Sequence, residues 1–234
     1  MKKLAVSEVF YSIQGEGQTM GIPAVFLRLG GCNLLCESAS WVCDTIEVWR
    51  NSKATEFKDV ISEEWVERLF NKAHLVITGG EPLMHQRVLP LYLQWFEETY
   101  KFLPTIEIET NGTIVPIEYM LSKVSYWNVS PKLENAGEQN RKEVRINPDA
   151  LKVFTHQENK TIYKWVISDE EDVIEIGRDF GDYITTEQTV LMPAGSSQDE
   201  LKQTRDLVSK ICIDKGLRYS DRLHVVIWNL KTGV

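Results

Sequence analysis

The chain has 234 residues, of which 43% are hydrophobic, and this allows one compact domain over residues 1–234. Its 26 basic and 34 acidic residues give a net charge of -8, which disfavours binding to nucleic acid. The first residues lack the apolar core of a signal peptide, and no later run is long enough to span a bilayer. We therefore expect a cytoplasmic protein without a membrane partner, in which clustered cysteines bind metal rather than form disulfides.

The predicted elements alternate between short runs of branched and aromatic residues and longer amphipathic stretches, which indicates an α/β fold with a mostly parallel sheet. The predicted strands are 24–30, 74–80, 105–110, 126–130, 161–168, 189–193 and 223–228. The predicted helices are 62–73, 86–102, 170–180 and 198–215. The polar, aperiodic segment 133–145 is predicted to be a loop.

Four of these strands end in segments that are rich in glycine, proline and polar residues. The segments are TGGEP at 78–82, ETNG at 109–112, SPK at 130–132 and MPAG at 192–195. Any one of them could be an ordinary turn. The carboxyl ends of parallel strands lie at one edge of the sheet, where α/β proteins bind their ligands. Since four predicted strands end in such segments, the sequence predicts one shared site at this edge of the sheet.

Cys32, Cys36 and Cys43 lie in a single loop after the strand 24–30. Three thiolates that converge suit a soft metal, either iron–sulfur or zinc. Structural zinc usually takes four protein ligands, whereas a cubane held by three thiolates leaves one iron open. His74 or His85 could complete a zinc site, so a zinc-binding module without catalytic activity is one alternative. The fourth cysteine, Cys212, falls in a helical pattern and is predicted to be a buried apolar residue.

The cysteine loop, the TGGEP segment and the SPK segment together resemble the radical S-adenosylmethionine superfamily. The segments EVFYSIQGEG at 8–17 and GIPAVFLRL at 21–29 are similar to those of one of its families, the 7-carboxy-7-deazaguanine synthases. The likeness covers most of the chain, including ETNG and the segment HVVIW at 224–228, and is weakest over 133–159. It implies a partial, modified (β/α)6-type barrel, a homodimer, and a place in the synthesis of queuosine and related deazapurines.

The cysteine spacing departs from that of the superfamily. Six residues separate Cys36 from Cys43, where the superfamily has two, and Ala39 stands at the expected third position. Because the next residues, Asp44 and Thr45, match the end of the family's loop, we predict an insertion of four residues that bulges outward. Trp41 lies in this insertion and is predicted to shield the cluster or to pack at a subunit contact.

The resemblance implies a [4Fe–4S] cluster on Cys32, Cys36 and Cys43, with S-adenosylmethionine on the fourth iron and a flavodoxin-like protein as electron donor. It also implies a set of cofactor contacts at two strand ends. These are Gly79, Gly80, Glu81, Ser130 and Lys132.

The substrate implied is 6-carboxy-5,6,7,8-tetrahydropterin, which a carbon–nitrogen lyase would convert to 7-carboxy-7-deazaguanine with loss of ammonia. The guanidinium of Arg28 suits the substrate carboxylate. The loop of Gln14, Gly15 and Glu16 suits the amidine-like edge, and Thr78 would add a hydroxyl near the ring.

A magnesium ion on the substrate carboxylate is also implied, with the hydroxyl of Thr45 beside it. A second alternative is a radical activase that acts on a glycine of a partner protein. Such an enzyme would need a docking groove in place of a closed pterin pocket.

Overall fold

The computed structural model describes residues 2–38, 42–43 and 45–231. Within these residues nine strands form one sheet. The strands are β1 (Lys3–Ile13), β2 (Pro23–Leu29), β3 (Lys53–Glu56), β4 (His74–Gly79), β5 (Ile106–Thr110), β6 (Tyr126–Val129), β7 (Thr161–Ile167), β8 (Thr189–Pro193) and β9 (Arg218–Tyr219). Their order is β3-β1-β2-β4-β5-β6-β7-β8-β9.

Helices fill the connections between the parallel strands. They are α1 (Ile46–Arg50), α2 (Glu63–Phe70), α3 (Leu89–Tyr100), α4 (Glu118–Lys123), α5 (Lys142–Arg145), α6 (Pro148–Thr155), α7 (Glu170–Phe180), α8 (Gln198–Lys215) and α9 (Leu223–Trp228). Among the described residues, none of these helices has the length and apolarity that a membrane crossing requires. Cys212 is buried in α8 and belongs to the main hydrophobic core.

Most of the sheet is parallel. Strand β1 runs antiparallel to β2 and β3, and the pairs from β2 to β9 are all parallel. Parallel strands need long crossover connections, and helices supply them here. The prediction of an α/β fold with a mostly parallel sheet is confirmed.

The two faces of the sheet differ because side chains alternate along each strand. Ile108 and Trp165 lie on the face that the helices cover and belong to the core. Glu107 and Lys164, their neighbours in sequence, lie on the opposite face. This inner face carries most of the polar groups discussed below.

The sheet curves strongly. Glu16, just after β1, forms an ion pair with Lys164 in β7, although β1 and β7 are five strand spacings apart in the sheet order. In a flat sheet five spacings would separate the two strands by about 24 Å. The contact therefore requires the sheet to curl around its inner face. In the described residues β3 and β9 are the two edges, so the curled sheet is an open, partial barrel.

Six predicted strands match β2 and β4 to β8 to within one residue at either end. The seventh prediction is wrong, because 223–228 forms the helix α9. Val225, Val226 and Ile227 favour a strand by intrinsic preference, but only Val225 is buried. The two-residue strand β9 occupies the sheet edge, and α9 instead packs on the loop after β1, where the backbone N–H of Leu223 donates to the carbonyl of Gly15 at 2.8 Å.

The prediction of a loop over 133–145 is also wrong in part. A 3-10 turn spans Glu134–Ala136 and α5 spans Lys142–Arg145. The segment is fixed by a buried charge, because the side chain of Arg145 has only 1% of its surface exposed and forms an ion pair with Glu175 at 2.8 Å.

Candidate active site

The loop that carries the three cysteines follows β2 and contains an isolated antiparallel bridge. Glu37 and Val42 form an antiparallel bridge, and the backbone N–H of Cys43 donates to the carbonyl of Cys36 at 2.9 Å. Cys43 therefore lies beside Cys36. Residues 39–41 and 44, and with them the prediction for Trp41, lie outside the described residues.

The three thiols share one small apolar cluster with Leu34 and Ala136. Cys36 is buried, while Cys32 and Cys43 are partly exposed, and all three are free. The sulfur of Cys43 lies 3.3 Å from the hydroxyl oxygen of Thr45. A set of three soft sulfur donors, partly shielded from water, fits an iron–sulfur cluster with one vacant position.

Burial governs the protonation of these thiols. It raises the pKa of Cys32 to about 11 and also raises the pKa of Cys36, while the nearby ammonium of Lys132 acts in the opposite direction on both. Without metal the two residues are therefore neutral thiols at pH 7, and a metal that binds them displaces their protons.

The two glycines of the TGGEP segment allow β4 to end against the cysteine loop. A Cβ on Gly79, whose φ is +146°, would lie 2.2 Å from the carbonyl oxygen of Leu29. A Cβ on Gly80 would lie 2.1 Å from the carbonyl oxygen of Gly31 and 2.7 Å from the Cβ of Cys32. These positions need glycine because backbone meets backbone there.

Glu81 connects the same turn to the end of β5. Its side chain has no exposed surface, and its carboxylate accepts hydrogen bonds from the backbone of Leu83 at 2.9 Å, the hydroxyl of Thr110 at 2.8 Å and the backbone of Asn111 at 2.7 Å. Burial raises the pKa of Glu81, and the hydrogen bonds and Lys132 oppose this shift. Glu81 thus has a structural role, and its contact with a cofactor stays a prediction.

The SPK segment lies beside the cysteines. The ammonium of Lys132 donates to the hydroxyl of Ser130 at 3.2 Å and interacts electrostatically with Cys32, Cys36 and Glu81. The ends of β4 and β6 and the cysteine loop therefore meet at one place, as the sequence predicts.

A row of polar side chains crosses the inner face of five neighbouring strands. Glu8 in β1 pairs in register with Arg28 in β2, and Arg28 pairs with Thr78 in β4. The hydroxyl of Thr78 donates to Glu109 at 2.8 Å, and Glu109 in β5 is in register with Asn128 in β6. Since β2 and β4 lead directly into the cysteine loop and the TGGEP turn, this row lies just below them.

Glu8 pairs with only one nitrogen of the Arg28 guanidinium. Nε of Arg28 donates to the carboxylate of Glu8 at 2.7 Å, and 16% of the Arg28 side-chain surface is exposed. The terminal nitrogens of its guanidinium have no partner among the described residues. They can bind a carboxylate on the inner face of the sheet.

Gln14 is buried and faces two carboxylates. Its Nε2 donates to Glu107 at 2.6 Å and to Glu109 at 3.2 Å, and its Oε1 accepts from the backbone N–H of Glu16 at 3.2 Å. The amide orientation is therefore fixed, with one acceptor position left on Oε1.

Glu16 lies in an ion-pair network that joins the loop after β1 to β7 and to the region of α9. It pairs with the buried Lys164, with Arg222 at 2.9 Å and, at 3.8 Å, with His224. Burial raises its pKa, but these cations outweigh burial, so the net shift is well below the usual range. The preceding Gly15 is needed because a Cβ there would lie 2.1 Å from Nδ1 of His224.

Sequence reasoning missed Glu107, Glu109, Lys164 and Arg222. The first three had a usable signal, because each charge alternates with large apolar residues in a strand that was predicted to be buried. Period-two alternation places such charges together on the face opposite the core. No such signal marks Arg222, because its position depends on segment 223–228, which was predicted to be a strand but forms α9.

Thiols grouped at the carboxyl edge of a curled, mostly parallel sheet, above a polar inner face, agree with the class that the sequence resembles, the radical S-adenosylmethionine enzymes. No family model matches the chain. The 7-carboxy-7-deazaguanine synthase of Halobacterium salinarum is 33% identical and covers 97% of this chain and 91% of its own. That of Pyrobaculum aerophilum is 32% identical and covers 99% and 97%.

The chain therefore belongs to the family of 7-carboxy-7-deazaguanine synthases. The crystal structure of QueE from Escherichia coli has the same fold, with a TM-score of 0.66 at 24% identity over 96% of both chains.

Proposed function

We propose that this chain converts 6-carboxy-5,6,7,8-tetrahydropterin to 7-carboxy-7-deazaguanine with loss of ammonia. The observation that carries the proposal is the position of the polar inner face directly below the cysteine loop. A substrate held on that face has its reacting carbon close to a cofactor bound at the cysteines. The name of the family's curated members supports the same product.

Cys32, Cys36 and Cys43 would hold a [4Fe–4S] cluster. With S-adenosylmethionine bound, this cluster would supply the radical chemistry that hydrogen abstraction from the substrate requires. The protein's task is to orient the substrate and exclude water. The burial of Gln14, Thr78 and Glu107 supports a closed, dry pocket.

The cofactor would lie against the ends of β4 and β6. Gly79 and Gly80 offer backbone without side chains, and Ser130 and Lys132 offer a hydroxyl and an ammonium within 3.2 Å of each other. Lys132 would add positive charge beside the cofactor carboxylate. Glu81, whose carboxylate has three donors from the protein, would act through any acceptor position left on its oxygens.

The substrate carboxylate would bind the free end of the Arg28 guanidinium, which Glu8 holds from its other side. The amidine-like edge presents N–H donors, and these call for acceptors. Glu109, Oε1 of Gln14 and the remaining lone pairs of Glu16 supply them. Thr78 is committed to Glu109 and would orient that carboxylate as well as meet the ring.

Several finer features belong to the same proposal. A magnesium ion at the substrate carboxylate would approach the hydroxyl of Thr45, which borders Cys43. A flavodoxin-like protein would supply the electron. A homodimer in the cytoplasm is the expected state of the enzyme.

The two alternatives fit less well. A closed zinc site needs a fourth ligand, but Nε2 of His85 bonds the carbonyl oxygen of Gly30 at 2.7 Å and His74 faces Glu107 at 3.6 Å. A radical activase acting on a peptide gains nothing from Arg28 or from buried acceptors, because a peptide backbone offers neither a carboxylate nor an amidine edge.

The test is anaerobic reconstitution with iron and sulfide, followed by incubation with the carboxypterin, S-adenosylmethionine and a reductant. We expect a brown protein and the deazapurine in the mass spectrum. Cluster assembly with 5′-deoxyadenosine but no deazapurine would refute the substrate assignment. A colourless protein that retains zinc would refute the whole proposal.

A further inference from the structure

The segment 133–145, whose sequence predicts only a loop, lies against the cysteine loop. Oδ1 of Asn140 accepts the backbone N–H of Leu35 at 3.1 Å, and its Nδ2 donates to the carbonyl of Leu35 at 2.7 Å and to that of Ala136 at 2.9 Å. The side chain is 3% exposed, and it bonds Leu35 as a neighbouring strand would. One buried amide thus holds both backbone groups of Leu35, the residue before Cys36.

Neighbouring residues extend this contact past Cys36. Nε2 of Gln139 donates to the carbonyl of Glu37 at 2.7 Å, and the backbone N–H of Glu37 donates to the carbonyl of Ala136 at 3.1 Å. A Cβ on Gly137, whose φ is +108°, would lie 2.3 Å from the carbonyl oxygen of Glu37. The backbone of 136–140 therefore follows the cysteine loop closely.

The segment is itself anchored from behind. Nη1 of Arg145 donates to the carbonyl of Lys132 at 3.1 Å, and Nη2 pairs with Glu175 in α7. The carboxylate of Glu175 also accepts the backbone N–H of Glu134 at 3.0 Å. Residues 136–140 are thus a fixed support, joined at one end to the SPK segment.

The need for such a support follows from the cysteine spacing. A longer loop between Cys36 and Cys43 has more conformations to lose when its cysteines converge. Without Asn140 the backbone N–H of Leu35 would lose its acceptor, while the carbonyl of Leu35 would keep the hydrogen bond that Nε2 of Gln139 donates at 2.5 Å. A support that fixes this stretch in advance lowers the ordering cost of cluster binding.

We propose that Asn140 is a positioning residue for the cluster: it holds the 32–37 stretch in its metal-binding conformation before metal arrives. This rests on the proposed function for the assignment of a cluster to the three cysteines. It does not depend on the identity of the substrate.

Two variants at this position separate the amide from mere packing. Asn140→Ala removes all three hydrogen bonds. Asn140→Asp keeps nearly the same volume, but its carboxylate repels the carbonyls of Leu35 and Ala136, so its effect cannot come from a cavity. The matched control is Asn135→Ala, which removes one hydrogen bond of 2.8 Å to Asp172 in the same segment and leaves the cysteine loop untouched.

The first readout is amide hydrogen exchange of the metal-free full chain, followed in the peptides that contain residues 33–37. We expect both Asn140 variants to accelerate exchange there about tenfold, the effect of one net hydrogen bond. Exchange in β5 should not change, and Asn135→Ala should match the wild type in both places. Unchanged exchange at 33–37 in both Asn140 variants would overturn the proposal.

The second readout is the rate of anaerobic reconstitution, measured as iron and acid-labile sulfide bound per chain and as the electron paramagnetic resonance signal of the reduced cluster. Both Asn140 variants should load several-fold more slowly than the wild type and Asn135→Ala. Loading at the wild-type rate would overturn the proposal, as would a wild-type chain that binds no cluster. A wild type that loads fully but makes no deazapurine would instead refute the substrate assignment and leave the role of Asn140 standing.

Discussion

Nε2 of Gln14 lies 2.6 Å from Oε1 of Glu107, a carboxylate with no exposed surface in the middle of β5. Thr19 and Asn128 donate to the same carboxylate. Three donors, two from the loop after β1 and one from β6, thus meet on one carboxylate. Glu107 thereby fixes the loop after β1 against the inner face of the sheet and sets the orientation of the Gln14 amide.

Glu107→Gln should therefore damage substrate recognition. The new amide would present N–H groups to side chains that are themselves donors, and a lost or inverted buried hydrogen bond costs about 1–3 kcal/mol. We expect the KM for the carboxypterin to rise at least tenfold on this scale, while formation of 5′-deoxyadenosine without product persists. Steady-state kinetics with both products quantified measures this. The control is Glu97→Gln, which removes only a half-exposed ion pair with Lys123, and an equal effect of the two substitutions would contradict this role of Glu107.

The ion pair between Glu16 and Lys164 should stay intact over a broad pH range. The pKa of Glu16 is lowered, so its stabilising contribution is complete above the ordinary value of 4.5 and is lost as pH falls toward the folded-state value. The pKa of Lys164 is raised by Glu16 and Glu109 despite burial, so its contribution is complete below 10.5 and is lost as pH rises through the folded-state value.

Glu16→Gln should leave Lys164 buried beside Arg222 without its partner and cost about 3 kcal/mol of the free energy of unfolding. We expect this difference from the wild type, measured by urea denaturation of the metal-free chain, to be constant from about pH 5 to pH 9. It should shrink at lower pH as Glu16 of the wild type binds a proton, and again above pH 10.5 as Lys164 loses its proton. A difference that disappears near neutral pH would show that the pair does not carry both charges. Glu47→Gln, at an exposed pair with Arg50, should cost less than about 1 kcal/mol.

Local patterns account for the part of the fold that the sequence predicts. The buried strands β2 and β4 to β8 are short apolar runs, and all but β7 have a glycine or proline at their end or within two residues after it, a pattern that favours strands. Segment 223–228 has the same local character but lies where β9 already ends the sheet, so tertiary contact overrides its preference. No local pattern could reveal that contact.

The sequence predicts those parts of the site that are continuous motifs. It does not predict the contacts between residues that are remote in sequence. Gly79, Gly80 and the cysteines belong to continuous segments with recognisable spacing. The partners of Glu16 are remote in sequence, since Lys164 and Arg222 reach it only because the sheet curls. Asn140 and Leu35 are likewise 105 positions apart, and nothing in either segment indicates the other.

Arg28→Ala should weaken binding of the substrate carboxylate. Removal of a bidentate, charge-assisted contact costs about 1.5–3 kcal/mol, which corresponds to a 10- to 100-fold loss of affinity. S-adenosylmethionine cleavage without substrate turnover should continue, because Arg28 does not contact the cysteines. Calorimetric titration of the reconstituted enzyme with the carboxypterin measures the loss. An affinity equal to that of Arg50→Ala, a surface control, would remove Arg28 from the substrate site.

Cys43→Ala should abolish stable cluster binding, because a cubane left with two protein thiolates is not held. Iron and sulfide per chain after anaerobic reconstitution are the measurement. Cys212→Ala is the matched control, since it removes a buried thiol from α8 without touching the loop, and should keep the iron content of the wild type. Full iron content and activity in Cys43→Ala would rule out Cys43 as a ligand.

Gly80→Ala should disrupt the cluster site without altering any ligand. Its methyl group would meet the carbonyl oxygen of Gly31 at 2.1 Å and the Cβ of Cys32 at 2.7 Å, so the cysteine loop must move away from β4. Because two backbone segments meet here, neither can move without a loss of stability. Overpacking of this kind costs about 1–3 kcal/mol. We expect slower reconstitution and a lower iron content per chain.

Gly177→Ala provides the comparison for this substitution. Gly177 lies in α7 with open space around its Cα, so a methyl group there meets nothing within 4 Å. Alanine should stabilise the helix by about 0.5–1 kcal/mol because it restricts the unfolded chain, and cluster loading should match the wild type. Since both changes add the same methyl group, a loss of iron in Gly80→Ala but not in Gly177→Ala locates the cause in the contact between β4 and the cysteine loop. Equal iron content in the two variants would mean that the loop can shift freely, and the close approach of Gly80 to Cys32 would then have no bearing on the cluster.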